Sequence, residues 1–541
     1  MFWNLLPAFG GIGLFLVGML LMTDGLKALA GARLRDVLSK FTSTPLTGAV
    51  TGAVTTAAIQ SSSATTVAAV GFVASGLLTF PQALGIIFGA NIGTTMTGWL
   101  VALLGFKLDL GQAMLPVVFV GALFALSGRK AVSNFGLALA GFSLVFIGIE
   151  QLKSGLDAFR GVVTPADFPP DTLLGRLKLV LIGVLITMVT QSSSAGVATA
   201  LAALSAGAVS FPQAAALVIG MDVGTTFTAV LATLGGGTMA RRTGSAHVIY
   251  NVMTGVMAFF LLGPFTSVFV SGAGAQNSLT ALVAFHSFFN ALGVVLILPF
   301  AKPFARFVEA LIPDRGAELT KSLDPLVLGL PEIAVDAAKA SVDQIVLAEV
   351  AHLRSCMGVR LPGETDYGRD SIETALAEAR AYLDKIELSR ESDVEISRIK
   401  GMYHILDHLD RLLYRCSQVD RISELPKDRR LKRLALVVIA ATDSYLKIDD
   451  QEECENTLNR VRRFLRRQRK LRRDLLISDA ATDSLPDEVV WARLDSLRWM
   501  HRVSYHLWRI RWHLNALEGA SFGGKRGEVH AEAAKSEVDA D

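Results

Sequence analysis

The tetrapeptide QSSS at residues 60–63 places four polar side chains in an apolar stretch that has no Lys, Arg, Asp or Glu between Lys40 and Lys107. Serine hydroxyls both donate and accept hydrogen bonds, and glutamine adds two donors and two acceptor lone pairs. A helix interrupted at such a point also frees backbone N–H groups at one new end and carbonyls at the other. N–H groups at a helix start attract oxyanions, whereas carbonyl and hydroxyl oxygens suit Na⁺. The residue types therefore predict a charge-poor site for an oxyanion together with Na⁺.

The same tetrapeptide recurs at residues 191–194, and it is one of several blocks that recur at a single offset. FPQA at 80–83 reappears at 211–214, and GANIGTT at 89–95 reappears as GMDVGTT at 220–226, each time 131 positions later. Blocks that share one offset indicate a duplicated domain. We expect that domain to contain these segments: repeats at about 8–132 and 133–270, and a further span at 278–300.

The charged residues divide the chain into two parts. Of the 52 Lys+Arg and 49 Asp+Glu residues, 21 lie in residues 1–300 and 80 lie in residues 301–541. Such a contrast separates a bilayer-embedded domain from a water-soluble one. The expected domains are a transmembrane domain at 1–310, a linker at 311–330, a cytosolic helical domain at 331–520 and a disordered tail at 521–541.

The apolar pattern of the first part predicts membrane crossings and two re-entrant segments. The re-entrant segments are 45–78 and 175–209, because each carries a QSSS motif between apolar arms, and non-helical backbone at membrane depth survives only inside protein or against water. Three crossings per repeat make the second repeat inverted relative to the first, which places a site near the midplane where the copies meet. The expected crossings are 8–29, 82–105, 111–127, 133–152, 212–235, 244–270 and 278–300.

Basic loops and cysteine usage predict the orientation. Basic clusters such as 129–130 and 241–242 fall on one side of the membrane, which the positive-inside rule makes cytoplasmic. Cys356, Cys416 and Cys454 match no zinc or disulfide spacing, so unpaired thiols in a reducing compartment are expected. The N-terminal residues lack a basic region and a small-residue cleavage site, so the first apolar segment is expected to be retained. We therefore expect a multi-pass protein of the inner (cell) membrane whose C-terminal domain is cytoplasmic.

Asp222 is the most informative single residue, since it replaces Asn91 of the first repeat and is the only acid in the apolar stretch of the second. An intramembrane carboxylate indicates a cation ligand or a protonatable coupling group, and the alternative is a neutral acid that stands in for asparagine. For any single Ser or Thr here, close helix packing is the alternative to binding. Two His-x₃-Asn patterns, which begin at His247 and His286, are interpreted as interhelical hydrogen bonds and left out of the site.

QSSSATT followed by GANIGTT, and QSSSAGV followed by GMDVGTT, resemble the type II sodium-dependent phosphate cotransporters over about residues 10–300. That family imports inorganic phosphate with sodium, and the resemblance implies that both QSSS segments form the substrate and sodium sites. Gly196 and Val197 follow the second motif where threonines follow the first, so the copies are not equivalent. The family usually carries Asn at the position of Asp222, which leaves the coupling ion open. The expected substrate- and sodium-binding residues are Gln60, Ser61, Ser62, Ser63, Thr65, Thr66, Asn91, Thr94, Thr95, Gln191, Ser192, Ser193, Ser194, Asp222, Thr225 and Thr226.

The second part of the chain has a helical pattern throughout and resembles the PhoU-like domain fused to bacterial members of the same family. Leu413 and Tyr414 stand where such domains usually show a Gly-Asp metal-ligand sequence, so metal binding there is not expected. The basic run at 460–474 is interpreted as a solvated helix face, with anionic lipid headgroups as the second choice. Helices are expected near 331–358, 368–389, 393–418, 428–447, 450–475 and 487–517.

Together these features predict an all-α, polytopic symporter that moves inorganic phosphate with Na⁺ across the cytoplasmic membrane and carries a cytosolic regulatory domain. Na⁺ is the expected coupling ion, with no cofactor, no other metal and no enzymatic activity. The expected partners are phosphate, sodium, the lipid bilayer and, through the helical domain, a regulatory protein or a second copy; nucleic acid is not expected. The alternatives are a membrane phosphate sensor with little transport and a symporter of another oxyanion, such as sulfate or arsenate.

Overall fold

The chain forms two compact units, each of which is helical. Unit 1 comprises Met1–Arg315 with Asp324–Val327, and unit 2 comprises Gly316–Leu323 with Leu328–Asp541. The described residues contain no β-strand. The predicted disordered tail lies, apart from its first residue, outside the described residues. The computed structural model describes residues 2–108, 110–157, 160–233, 237–270, 278–313, 318–388, 393–448, 450–482 and 485–521.

Unit 1 contains the apolar helices of the chain. The length and composition of these helices confirm the predicted all-α, polytopic membrane architecture. Its helices are α1 (Phe2–Phe41), α2 (Pro45–Ile59), α3 (Ser62–Ala74), α4 (Phe80–Leu100), α5 (Met114–Ala125), α6 (Lys130–Asp157), α7 (Leu173–Thr190), α8 (Ser193–Ser205), α9 (Phe211–Thr233), α10 (Thr238–Phe265), α11 (Ser278–Ile297) and α12 (Ala301–Leu311). Within the described residues, seven stretches are long and apolar enough to cross a membrane: Leu6–Ala30, Phe80–Lys107, Lys130–Asp157, Leu173–Thr190, Phe211–Leu231, Thr238–Val270 and Ser278–Leu311.

Two helices differ in length from the predicted crossings. The crossing predicted at 111–127 is the 12-residue helix α5, which rises only about 18 Å at 1.5 Å per residue. A hydrocarbon core is about 30 Å thick. Conversely, α7, predicted as one arm of a re-entrant segment, has 18 residues and reaches the length of a span. The shorter helix, α5, is the more apolar of the two, so hydropathy does not predict which helix is long enough to span.

Each QSSS motif forms the break of a helix–helix hairpin with the same local geometry. Gln60 ends α2 at φ 55° and Gln191 ends α7 at φ 53°, both in the left-handed region. Among the described residues, these are the only non-glycine residues with positive φ. Such a conformation costs free energy for a residue with a side chain, so its occurrence at matched positions of both repeats makes the two breaks candidates for a functional site.

Close backbone contacts fix each hairpin against the helix that follows it. α2 packs on α4, and α7 packs on α9. An added Cβ at Gly89 would lie 1.9 Å from the Ala49 carbonyl oxygen, and at Gly220 it would lie 1.9 Å from the Val180 carbonyl oxygen. Only glycine permits this approach, and it does so at the same position of both repeats.

Unit 2 is a bundle whose ion pairs are partly buried. Arg354 is fully buried and pairs with Glu364 at 2.5 Å and with Asp443 at 2.6 Å. Arg398 pairs with Asp336 at 2.7 Å, and both side chains are buried. The helices are α13 (Pro331–Cys356), α14 (Gly368–Leu383), α15 (Asp393–Cys416), α16 (Val419–Glu424), α17 (Arg429–Lys447), α18 (Gln451–Ala481) and α19 (Asp487–Ser521).

Candidate functional site

Both QSSS motifs line one cavity of unit 1, although they lie 131 positions apart in the sequence. The cavity has a volume of about 510 Å³. Its polar lining comes from the hairpin breaks and from neighbouring helices. The structure brings these predicted residues to the cavity: Gln60, Ser61, Ser62, Ser63, Thr66, Thr94, Gln191, Ser192, Ser193, Ser194 and Thr225.

Two helix N-termini begin at the cavity. Ser61 caps α3, and its hydroxyl accepts a hydrogen bond from the Ala64 N–H at 3.2 Å. Ser192 caps α8 in the same way, accepting from the Ala195 N–H at 3.2 Å. The first N–H groups of a helix have no intrahelical acceptor, and the helix dipole makes that end electropositive. The arrangement therefore suits an oxyanion without a buried lysine or arginine.

The glutamine at each break is held by a side-chain hydrogen bond to its own hairpin, and Gln60 has a second one to α4. Gln60 Nε2 donates to the Ala57 carbonyl at 2.6 Å, and Gln60 Oε1 accepts from the Thr97 hydroxyl at 2.6 Å. Gln191 Nε2 donates to the Met188 carbonyl at 2.9 Å. These bonds fix the left-handed residue and thereby the start of the next helix. Thr97 was not predicted as a site residue, yet it lines the cavity and also donates to Gln60.

Five predicted residues lie behind the cavity surface rather than on it. The Thr65 hydroxyl is buried, accepts from Thr56 at 3.0 Å and donates to the Ser61 carbonyl at 3.1 Å. The Thr95 hydroxyl donates to a carbonyl of its own helix and accepts from Ser287 at 2.9 Å. The residues placed there are Thr65, Asn91, Thr95, Asp222 and Thr226.

Asn91, from the first repeat, belongs to a buried polar cluster that reaches the cavity through His247. Asn91 Oδ1 lies 3.2 Å from His247 Nε2, and Asn91 Nδ2 donates to Asn251 Oδ1 at 2.6 Å. Asn251 Nδ2 in turn lies 3.2 Å from the Asp222 carbonyl oxygen. His247 itself lines the cavity. The first His-x₃-Asn pattern thus makes the interhelical hydrogen bonds expected of it, and its histidine is also a cavity residue that the sequence did not predict.

Asp222 occupies the matching position of the second repeat and contacts the second His-x₃-Asn pattern. Its Oδ1 lies 3.3 Å from His286 Nε2 and 3.4 Å from Asn290 Nδ2. Its Oδ2 is buried and has no hydrogen-bond partner among the described residues. An unpartnered carboxylate oxygen at such a place is costly and is a natural position for a cation or a proton.

Further cavity residues lay outside the prediction. The sequence predicts a charge-poor site, yet Lys27 and Asp24 of α1 both line the cavity, with Lys27 Nζ 3.9 Å from Asp24 Oδ1. Both side chains are solvent-exposed, at 36% and 69%. Thr187 and Thr190, one turn and one residue before Gln191, also line it. Hydropathy gives no signal for which face of a threonine-containing helix meets a cavity.

Comparisons with known proteins bear on unit 1. A family model described as Na⁺/Pi-cotransporter matches residues 14–154 and 172–296. YqeW of Bacillus subtilis (strain 168), whose name assigns no function, is 31% identical over 305 residues, which cover 56% of this chain and 96% of that protein. YjbB of Escherichia coli (strain K12), provisionally named an inorganic phosphate export protein, is 29% identical over 343 residues, or 61% of each chain. The human sodium-dependent phosphate transport protein 2B is 48% identical over 66 residues, 12% of this chain and 10% of that protein. No solved structure matches the chain.

Proposed function

Since the chain belongs to the Na⁺/Pi-cotransporter family, a family of transporters rather than enzymes, we propose that it is a symporter that moves inorganic phosphate with Na⁺ across the cytoplasmic membrane. The observation that carries the proposal is the single cavity lined by both QSSS motifs. If one QSSS motif faced lipid, or if the two motifs lined separate cavities, they would not form a central transport site.

Phosphate is proposed to bind where α3 and α8 begin. The N–H groups of Ser62 and Ser63, and of Ser193 and Ser194, are the first of their helices. Six serine hydroxyls of the two motifs surround the same space and can donate to phosphate oxygens. Lys27 and Asp24 nearly cancel each other's charge, so the main attraction for the anion comes from helix ends and hydroxyls.

Na⁺ is proposed to bind in the same cavity and to supply the missing positive charge. The hairpin arms α2 and α7 end at Gln60 and Gln191, which brings helix C-termini with their carbonyl oxygens beside the serine clusters. A divalent phosphate that enters an inside-negative cell costs roughly 4.6 kcal/mol per 100 mV, at about 2.3 kcal/mol per charge. Two Na⁺ ions offset this cost, and a third makes entry electrically favourable.

The direction of transport is set by the Na⁺ and phosphate gradients across the membrane rather than by the residues of the site. The name of the E. coli relative gives export for that protein, whereas an inward Na⁺ gradient favours uptake here. Unit 2 is proposed to be a cytosolic, PhoU-like regulatory domain. Its sidedness is tested by limited proteolysis of right-side-out and inside-out vesicles, where digestion of unit 2 only in inside-out vesicles supports the proposal.

Radiolabelled phosphate flux in proteoliposomes of the full chain tests the transport proposal. Phosphate uptake driven by an inward Na⁺ gradient should exceed uptake with K⁺ in place of Na⁺, and counterflow should show both directions. Ser62→Ala and Ser193→Ala, at matched positions, should each lower uptake, whereas Ser75→Ala at the far end of α3 should not. Ser75 does not line the cavity, and its hydroxyl donates to the Phe72 carbonyl at 3.2 Å.

Each alternative predicts a different result in the same vesicles. Equal flux with Na⁺ and K⁺ would refute sodium coupling. Phosphate binding without flux in either direction would favour a membrane sensor. If sulfate or arsenate inhibits the uptake of labelled phosphate at a lower concentration than unlabelled phosphate does, that oxyanion is the preferred substrate.

A further inference from the structure

Three metal-ligand side chains of unit 2 converge on one point. His352 and Cys356 lie one turn apart on α13, and Cys416 is the last residue of α15. The ligand atoms of these residues all lie within 4.8 Å of one another. The separation of His352 Nε2 and Cys356 Sγ is 3.6 Å. A tetrahedral Zn²⁺ ion with Zn–N of about 2.0–2.1 Å and Zn–S of about 2.3 Å spaces a nitrogen and a sulfur by about 3.6 Å.

We propose that His352, Cys356 and Cys416 bind a Zn²⁺ ion in unit 2. Imidazole and thiolate ligands select Zn²⁺ over Mg²⁺ or Ca²⁺, which prefer oxygen ligands. The residues come from two helices separated by 60 positions between the cysteines, so their spacing in the sequence matches no zinc motif. The site is independent of the proposed transport site, since it involves only residues of unit 2.

Asp366 orients the histidine as the carboxylate does in many zinc sites. His352 Nδ1 lies 3.0 Å from Asp366 Oδ1, so the ring donates from Nδ1 and leaves the Nε2 lone pair facing Cys356. Asp366 is itself held by the Gly368 N–H at 3.0 Å and by Arg360 at 3.6 Å. Such a carboxylate fixes the tautomer that a metal requires before any metal binds.

Glu349 supplies the candidate for a fourth ligand. It precedes His352 by three positions and Cys356 by seven, so the three residues share one face of α13. The side chain is fully buried, and neither carboxylate oxygen has a hydrogen-bond partner among the described residues. A buried carboxylate without partners is costly unless a cation is near. Glu349 is not among the residues whose ligand atoms lie within 4.8 Å of one another, so its role is assigned through a water molecule that occupies the remaining coordination position.

Zinc content of the full chain, purified in detergent with a non-chelating reductant, tests the site. After Zn²⁺ loading and dialysis, the wild type should retain about one zinc ion per chain, whereas Cys356→Ser and Cys416→Ser should retain almost none. Cys454→Ser is the matched control, because Cys454 is buried on α18 and donates to the Ser444 carbonyl at 3.4 Å. Asp366→Asn should weaken Zn²⁺ binding by about 10–100-fold, as measured by competition with a chelator.

Thiol alkylation of the wild type gives a second readout that requires no variant to fold. Bound Zn²⁺ should protect Cys356 and Cys416 from alkylation, as read by peptide mass spectrometry, and should leave the reactivity of Cys454 unchanged. Wild-type protein that retains no Zn²⁺, or a Cys454→Ser variant that loses as much zinc as Cys356→Ser, would overturn the proposal. A Cys356–Cys416 disulfide in protein prepared under the same reducing conditions would also overturn it.

Discussion

Gly89 and Gly220 are the positions where one added methyl group should displace a QSSS motif. A Cβ at either residue would lie 1.9 Å from a carbonyl oxygen of the neighbouring hairpin arm, and real Cβ contacts of this kind are not shorter than 3.0 Å. In the Gly89→Ala and Gly220→Ala variants, each helix pair must therefore separate by at least 1.1 Å (3.0 minus 1.9). The displaced arm, α2 or α7, ends at Gln60 or Gln191 in the cavity.

The displacement should lower both stability and transport. Overpacking of this size costs typically 1–3 kcal/mol, and a misplacement of about 1 Å at a functional group can cost about 100-fold in rate. Thermal unfolding of the detergent-purified chain and Na⁺-driven phosphate uptake measure the two effects. Gly13→Ala on α1 is the control, because a Cβ at that position meets no atom within 4 Å. Gly89→Ala uptake equal to that of Gly13→Ala would refute the claim that this contact positions the motif.

Three further perturbations test the site and unit 2. Asp222→Asn should change the Na⁺ or pH dependence of phosphate uptake in proteoliposomes, and unchanged dependence on both would remove Asp222 from the mechanism. Thr97→Val deletes the hydrogen-bond donor to Gln60 Oε1. A lost hydrogen bond worth about 1–2 kcal/mol should raise the KM for phosphate about 5–30-fold. A KM within about twofold of the wild-type value would contradict this. Burial lowers the pKa of His408 to about 4 and of His506 to about 3. Histidines in the unfolded state titrate near 6.5, so below that pH the unfolded state binds more protons than the folded state. The free energy of unfolding of unit 2 should therefore fall by up to about 2 kcal/mol per histidine between pH 6.5 and 5, before solvent screening. Urea unfolding followed by tryptophan fluorescence measures this loss, and His506→Asn should flatten the pH profile.

The repeated blocks were sufficient to predict the breaks at Gln60 and Gln191, because a polar tetrapeptide in an apolar stretch has few structural uses. The same blocks could not predict which helices would be long, since α5 is more apolar than α7 and yet shorter. In unit 2 the amphipathic pattern located each main helix. Two predicted helix ends are wrong. α14 ends at Leu383 rather than 389, and α18 continues to Ala481 rather than 475, because helical propensity continues past the last residue of the apolar face.

The sequence predicts the site residues that belong to the recurring motifs, and it does not predict site residues that lie outside them. Thr97 and His247 lie on helices with many small polar residues, and nothing in the sequence tells which of them faces Gln60 or the cavity. His352 and Cys416 come together only through the packing of α13 against α15, so no local spacing could have indicated them. Contacts between distant segments are fixed by tertiary packing, which a single sequence does not reveal.

Asp222 distinguishes the two copies of the site in charge as well as in position. Asn91 reaches the cavity through His247, whereas Asp222 contacts His286 and does not line the cavity. Two unit charges about 8 Å apart interact by about 2 kcal/mol at an effective dielectric constant near 20, so a negative charge behind the cavity acts on an ion bound in it. It would attract Na⁺ into the cavity and repel phosphate that arrives alone, which is the bias that coupling requires. Asp222→Asn should therefore tighten phosphate binding measured without Na⁺, by about 30-fold for each phosphate charge at that separation, and weaker phosphate binding in that assay would contradict this electrostatic role.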